Sequence, residues 1–387
     1  MEREPVAKNK VAVIGVGGGA GRIVTAWESL GEPGDLVKAA VNTDRRALEM
    51  VQCPHRVLIG VERTNGLGTG GDLSLGRYAA EDDADDLRKI LADTALVVVV
   101  ASLGGGTGGG AGPVLIQLAR EAGAMTLAVL TLPFAFEGVR RREQAEVALQ
   151  AFREAGGAVI VTPNNLLAEW VGGGNVEETF LRADALLARS LAGIVRLLTC
   201  PGYLNLDFAD LARVLRYGRE PGLIGYGESG GANRVESAVG QLLSNPILDQ
   251  TGVLEKAAAL LVSIAGGEDL TLKEIDNVMK AVGGRVPSTC EVFVGTAVHS
   301  RWNGRLCLAA VLATDRRMEE SAVAPDVQTS VPGKPHPRGT TTVKQTDLPL
   351  DSVADRGKFA PAEPTWGVNG ENLDVPTYQR WGVVIDR

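Results

Sequence analysis

The sequence predicts an α/β protein: a doubly wound, Rossmann-like domain, a long central helix, a smaller α/β domain and a disordered tail. Three observations carry that reading. Short β-branched runs alternate with helical stretches from Val11 to Pro163, the pattern of a parallel sheet covered on both faces. Seventeen of the 49 glycines sit in three short loops, five in 15–21, five in 66–76 and seven in 104–112. Beyond Asp315 the apolar runs vanish, and eight of the 18 prolines lie past position 320.

Taken in order, the runs at 11–16, 36–42, 95–102, 125–132 and 157–163 are apolar at nearly every position, as strands buried on both faces are. Between them one helix begins near Arg22, another spans 113–122 and a third 137–155. Pro113 is expected near the first turn of its helix, where the missing N–H costs nothing. Residues 177–200 read as a long helix joining two domains, with Phe180, Leu181, Leu187, Leu191, Ile194 and Leu198 on a broad apolar face. A helix at 207–218, a Gly-rich turn at 225–231 and strands at 259–266, 290–298 and 305–314 complete a smaller α/β domain. Residues 315–369 cannot bury enough apolar surface to offset their ordering entropy. A patch at 370–387, notably LDVPTYQRW from Leu373 to Trp381, regains apolar and aromatic character.

Composition excludes several function classes. Acidic groups outnumber basic ones by 47 to 39, for a net charge of -8, which argues against nucleic acid as a partner. Aromatics at 4% leave few stacking platforms. Four scattered cysteines and three histidines suit neither a zinc site nor a disulfide framework, so no metal-ligand set is expected from the protein and a reducing cytoplasm is. The N-terminus lacks a secretory signal, and no apolar run reaches the roughly 18 residues that span a bilayer. No direct membrane insertion is expected.

Each glycine cluster follows a strand. Residues 15–21, GVGGGAG, lead into a helix, where backbone amides form an anion site that glycine lets phosphate approach. The loop also satisfies GxGxxA, with Asp44 after the second strand as a candidate ribose partner, so a nicotinamide-dependent oxidoreductase is the first competitor. No lysine follows the glycines as a Walker loop would require. The second cluster, 66–71, precedes an acidic run at 81–86 that reads as a solvated helix face. The third, 102–113, places seven glycines and the hydroxyl of Thr107 after the most β-rich strand. A dinucleotide site needs one such loop, and a second, longer one argues against it.

Residues 104–110, GGGTGGG, resemble the signature loop of the tubulin/FtsZ family, and their surroundings resemble its bacterial FtsZ-type division proteins. The segments 15–21, 42–44 (NTD), 66–71, 133–138 (PFAFEG), 205–210 (NLDFAD) and 245–248 (NPIL) follow the family's order and spacing. Residues 373–381 resemble its C-terminal peptide. The resemblance implies a GTP-dependent polymerising GTPase that builds the division ring, with GTP or GDP and accompanying Mg²⁺ as ligands. It divides the chain into a GTP-binding domain at 10–176, a central helix at 177–203 and a GTPase-activating domain at 204–314. A linker at 315–369 and a partner-binding peptide at 370–387 follow.

By that resemblance Gly18, Gly19, Ala20 and Gly21, with Gly106, Thr107 and Gly108, hold the phosphates, and Arg22, where the family usually has Asn, is a nucleotide-binding candidate beside them whose charge is expected to tighten binding or slow product release. Glu137 and Arg141 are implied nucleotide contacts, although an i,i+4 ion pair is the alternative their spacing allows. Phe180 and Asp184 fall where the family recognises guanine, whose adjacent N1–H and N2–H donors one carboxylate can accept together. Asn205, Asp207 and Asp210 match the catalytic loop that the next subunit supplies; Asp207 also suits an N-cap with Asp210 in the first turn. The implied partners are therefore a head-to-tail homopolymer, and a membrane tether and division regulators reached through residues 373–381. A linker of about 55 residues has an r.m.s. reach of roughly 40 Å. The implied location is the cytoplasm at the division site. Two departures beyond Arg22 stand out: Gly109 replaces a small Ser, Thr or Ala, and the 172–174 triglycine has no assignment. A non-catalytic or regulatory paralogue is the nearest alternative to the division GTPase.

Overall fold

Strand β1 (Lys10–Val16) shows how the larger sheet is built. Successive side chains point to opposite faces of a strand. Val11 and Val13 enter one apolar cluster, with Ile23 and Trp27. Ala12 and Ile14 enter another, with Leu115, Ile116 and Phe152. Burial on both faces is why the run has no polar alternation. The computed structural model describes residues 10–32, 36–217, 221–250 and 252–314. The expected linker at 315–369 and the peptide at 373–381 lie outside the described residues.

Strands β2 (Leu36–Asn42), β3 (His55–Leu58), β4 (Thr94–Ser102), β5 (Met125–Leu132) and β6 (Ala158–Pro163) complete a six-stranded parallel sheet in the order β3-β2-β1-β4-β5-β6. The order reverses between β1 and β4, and the helices that follow them cover opposite faces. The carboxyl ends of those two strands therefore open a crevice at the switch point. β3 escapes the sequence pattern because it is short and at the edge, with His55 and Arg56 exposed.

On the described chain α1 (Gly18–Leu30) follows β1, α2 (Arg45–Glu49) follows β2, and α3 (Val61–Thr64), α4 (Leu73–Asp82) and α5 (Ala84–Ile90) precede β4. Then come α6 (Gly106–Glu121), α7 (Val139–Ala155) and α8 (Asn164–Val171). Helix α6 starts seven residues before Pro113, so the expectation of a proline in the first turn is corrected. The glycines themselves form its first two turns, because α4 crosses against them. A Cβ on Gly76 would lie 2.1 Å from the Gly106 carbonyl, and one on Gly110 2.1 Å from the Leu73 carbonyl. On its other flank Gly112 abuts the Phe152 ring, 2.3 Å from a Cβ.

Helix α9 (Val176–Thr199) is the central element. Asn175 caps it by accepting from the Glu178 amide at 2.9 Å. Leu187, Leu191 and Ile194 enter the cluster that also holds the second sheet's core. Leu181 does not; it is exposed, which corrects its place on the expected apolar face. After α10 (Phe208–Tyr217), strand β7 (Leu223–Gly230) replaces the expected Gly-rich turn at 225–231. Its glycines serve packing: a Cβ on Gly227 would lie 2.1 Å from the Ala238 carbonyl of α11 (Arg234–Leu243). Strands β8 (Ala257–Gly266), β9 (Glu291–Val298) and β10 (Arg305–Thr314), with α12 (Leu272–Gly283) between β8 and β9, complete a sheet ordered β7-β10-β8-β9. β10 runs antiparallel to both neighbours, and β8 and β9 are parallel.

Two joints tie this sheet to the first. Gly222 pairs with the edge strand β6, its amide donating to the Val159 carbonyl at 2.8 Å and its carbonyl accepting from Val161 at 3.0 Å. Buried Arg196 of α9 binds Glu32 through two nitrogens, at 2.7 and 2.6 Å, with its guanidinium 4.7 Å from the Trp302 ring centre. With both side chains buried, removing either partner would strand the other's charge away from water, a loss of about 3–5 kcal/mol.

Candidate functional site at the switch point

The first and third glycine loops meet at the carboxyl ends of β1 and β4. Gly17 adopts φ 86°, and a Cβ there would lie 3.2 Å from the Gly108 amide nitrogen, so only glycine lets the loops approach this closely. Neither α1 nor α6 carries a side-chain N-cap bond. First-turn amides of a helix have no intrahelical partner, which leaves those of Gly18, Gly19 and Ala20 beside those of Gly106, Thr107 and Gly108. The α-carbons of Gly18 and Gly105 face open space. Two uncapped N-termini side by side fit an oligophosphate. Gly21 is committed otherwise: its amide donates to the Gly17 carbonyl at 3.0 Å. A Cβ on Gly21 would lie 2.7 Å from a Val51 methyl carbon.

The Thr107 hydroxyl is buried and shares a 2.7 Å hydrogen bond with the hydroxyl of Thr43. Thr43 lies inside the 42–44 motif, and nothing in its local sequence signals this contact with a residue 64 positions away. Asp44 accepts from the Ala47 amide at 3.0 Å and so caps α2, a structural role for this carboxylate. The second glycine loop braces the third: the Thr69 hydroxyl would lie 2.4 Å from a Cβ on Gly106, and Gln144 of α7 donates to the Gly71 carbonyl at 2.8 Å. In the acidic run beyond it Glu81, Asp82, Asp85 and Asp86 are exposed, as a solvated face requires, and Asp83 is half-buried. Asp83 accepts the Gly60 amide at 2.6 Å, and Asp82 pairs with Arg63. Gly109 faces Leu73 and Ala148, 2.6 and 2.8 Å from a Cβ, so a larger residue has no room here.

Beyond the loops a cleft is lined by Arg22, Ser102, Phe134, Asn164, Phe180 and Asp184. Phe134 stacks on Phe136 with ring centres 4.9 Å apart and meets Phe180 edge-on at 5.4 Å. Glu137 closes a short 3₁₀ turn, accepting from the Phe134 amide at 2.8 Å and pairing with Arg141. The i,i+4 ion pair weighed from the sequence is thus formed. Asp184 is nine-tenths buried on α9. Burial pushes its carboxyl pKa up, against the opposing pull of Arg22. The Arg22 side chain turns along the cleft and donates from Nε to Asp184 Oδ2 at 2.8 Å. Its guanidinium carbon lies 5.4 Å from the Phe180 ring centre.

Asn205, Asp207 and Asp210 are elsewhere. They follow α9, on a segment that the second sheet holds in place. The Thr296 hydroxyl accepts from the Tyr203 and Leu204 amides at 2.8 and 2.9 Å, and the Thr296 amide donates to the Leu204 carbonyl at 2.8 Å. Asp207 and Asp210 cap the start of α10 reciprocally, each carboxylate accepting the other's amide at 3.0 Å. Asn205 and Asp207 are exposed. Along α9, Asp184 and Thr199 are separated by about 22 Å of helix rise. The chain does not bring these acids to its own glycine loops.

A doubly wound sheet, amide-lined loops at its switch point, an aromatic wall with a buried carboxylate and a second sheet across a central helix define the class: a tubulin-like GTPase. Residues 10–172 match the Tubulin/FtsZ family GTPase domain, and residues 221–315 match the FtsZ family C-terminal domain. The chain belongs to the tubulin/FtsZ family. It is 38% identical over 292 residues to cell division protein FtsZ 1 of Archaeoglobus fulgidus, covering 75% of this chain and 78% of that protein. Cell division protein FtsZ 2 of Rhizobium meliloti is 36% identical over 304 residues, 78% of this chain and 87% of that protein. A solved FtsZ dimer of M. jannaschii, described as empty, superposes with a TM-score of 0.70 at 32% identity, covering 79% of this chain and 88% of that one. Archaeal relatives thus stand beside bacterial ones, and the expected bacterial assignment broadens to the family. The oxidoreductase alternative is overturned by the family match. Among the described residues no helix is long and apolar enough to cross a membrane.

Proposed function

We propose that residues 10–176 bind GTP, that 177–203 form the connecting helix, and that 204–314 activate hydrolysis in the adjoining molecule of a head-to-tail filament. The observation that carries this reading is the separation just described: the amide-lined loops lie beside the N-terminal half of the central helix, where Arg22 meets Asp184, and the acids follow its C-terminal end. A chain that holds its nucleotide at one end and its acids at the other completes a site only with a second copy. Such a heterologous contact repeats without closing.

In this reading the amides of Gly18, Gly19, Ala20, Gly106, Thr107 and Gly108 hold phosphate oxygens, with Gly21 setting the loop. Phe180 and Asp184 receive the base, and Glu137 and Arg141 flank the ribose and phosphates. Asp207 and Asp210 of the neighbour orient a water for in-line attack, and Asn205 lies beside them. Among the described residues no three His, Cys, Asp or Glu side chains gather as a metal site. Mg²⁺ would therefore be held chiefly by the phosphates, where it would neutralise their charge. Residues 373–381 reach a membrane tether and division regulators, and the protein works at the cytoplasmic division site. A surplus of acidic groups supports the absence of nucleic acid from this list.

The test is GTPase rate per subunit against protein concentration, with sedimentation alongside. Turnover should be negligible below a critical concentration and total activity should rise linearly above it. Specific activity independent of concentration would sink the assembly mechanism, and filaments without hydrolysis would favour the non-catalytic paralogue.

A further inference from the structure

We propose that Arg22 is a built-in mimic of guanine, occupying the base site and competing with the nucleotide for Phe180 and Asp184. The inference rests on the reading of Asp184 as the base acceptor and adds a residue that limits access to it. Three features of the geometry carry it. Arg22 donates from Nε to Asp184 Oδ2 at 2.8 Å, so one oxygen of the carboxylate that would accept the guanine edge is already engaged. Its guanidinium lies over the Phe180 ring at 5.4 Å, where a base would stack. Both contacts reach across the sequence from α1 to α9, so one side chain of the cleft lining touches both residues proposed to receive the base.

The chemistry of the two groups is nearly the same. The N1–C2–N2 edge of guanine is itself a guanidine unit: a planar carbon bearing N–H donors that point at a carboxylate. The arginine head group offers that donor fork with a full positive charge, and it stacks on aromatic faces. Guanine and Arg22 therefore compete for Asp184 Oδ2 and for the same face of Phe180. Asp184 is deeply buried whereas half of the Arg22 side chain is exposed, so the arginine has solvent to retreat into and the carboxylate does not. A nucleotide must exchange a charge-assisted hydrogen bond for neutral donors, which weakens binding and slows entry. At this position the family usually carries Asn, which is too short and uncharged to imitate the base in this manner.

Calorimetric titration of GDP into the full chain, with stopped-flow association rates, tests this. Arg22→Asn should bind GDP about tenfold more tightly, equivalent to about 1.4 kcal/mol, with a faster association rate. Arg22→Lys keeps the charge but loses the planar fork, so it should shift in the same direction by less. Unchanged or weaker GDP binding by Arg22→Asn would overturn the proposal, the weaker result making Arg22 a nucleotide ligand. Failure of the underlying base site looks different. If Asp184→Asn, built on the Arg22→Asn chain, left the preference for GDP over ADP unchanged, Asp184 would not be the acceptor and both readings would fall. If that preference collapsed while Arg22→Asn alone changed nothing, only the competition would be lost.

Discussion

Asp184 shows how much one residue's role depends on where its element places it. From the sequence it is a helix residue given meaning by resemblance; in the fold it is a carboxylate buried against an aromatic ring. Burial raises its pKa, and the Arg22 contact recovers part of the shift. An acid with a raised native pKa binds its proton more readily folded than unfolded, so ionising it costs stability as pH rises above the ordinary carboxylate range, near about 3.9. Asp184→Asn should therefore raise the melting temperature at pH 7, with the gain shrinking as pH falls into the carboxylate range. The same substitution should abolish the preference for GDP over ADP, because the amide offers a donor where guanine needs a second acceptor. Melting curves from pH 4 to 8 check the first half and nucleotide competition the second. A lower melting temperature at pH 7 would show that the pair with Arg22 outweighs desolvation. Such an exchange of stability for binding is common at functional sites. The Arg22–Asp184 contact was not legible in the sequence, because it joins residues 162 positions apart.

The elements were legible to the extent that a local rule governed them. Strands β1, β4 and β5 are read from apolar runs because both sheet faces are covered. The long helix is read from its leucine spacing. β7 was not, because Gly225 and Gly227 signal a turn in sequence but a close helix–strand contact in the fold. The start of α6 was hidden for the same reason: glycines that look like a loop form a helix because another helix lies against them. This revises the meaning of the glycine excess. Part of it lines the loops proposed to hold phosphate, and part lets α4 and α6 touch at Gly76, Gly106 and Gly110. Two effects then compete in Gly110→Ala. Alanine is the better helix former by about 1 kcal/mol, but its Cβ would sit 2.1 Å from the Leu73 carbonyl and 2.7 Å from the Arg77 amide nitrogen. Both are backbone atoms and cannot rotate away, so overpacking should prevail, with a net loss of about 2 kcal/mol. Chemical denaturation measures it. GDP affinity should fall in the same variant, since the helix end that must move carries Gly106 and Gly108. A neutral or stabilising alanine would show that the crossing has slack.

At the scale of the whole molecule, the central helix sets a distance that no side chain can bridge. The proposed base pocket sits near its N-terminal half, and the capped pair Asp207 and Asp210 follows its C-terminal end. The reciprocal caps show that these acids serve the fold of α10 as they stand, a role the sequence allowed beside the catalytic one. The action proposed for them on a neighbour's nucleotide would be a property of two molecules and can be isolated by mixing. One variant, Asp210→Asn, keeps its glycine loops and loses an acid while retaining a polar side chain at the cap. A second, Gly18→Glu, keeps both acids but sets a carboxylate against the amides that would take phosphate, at an α-carbon with open space around it. Each variant alone should hydrolyse GTP at less than about one-hundredth of the wild-type rate, the scale on which loss of a positioned group acts. Combined in equal amounts above the assembly threshold, they should recover activity, because a GTP-loaded Asp210→Asn subunit can face an intact Asp207 and Asp210 on a Gly18→Glu neighbour. The recovered rate should vanish on dilution below that threshold. A site completed within one chain predicts no recovery at any ratio, since neither variant holds both halves.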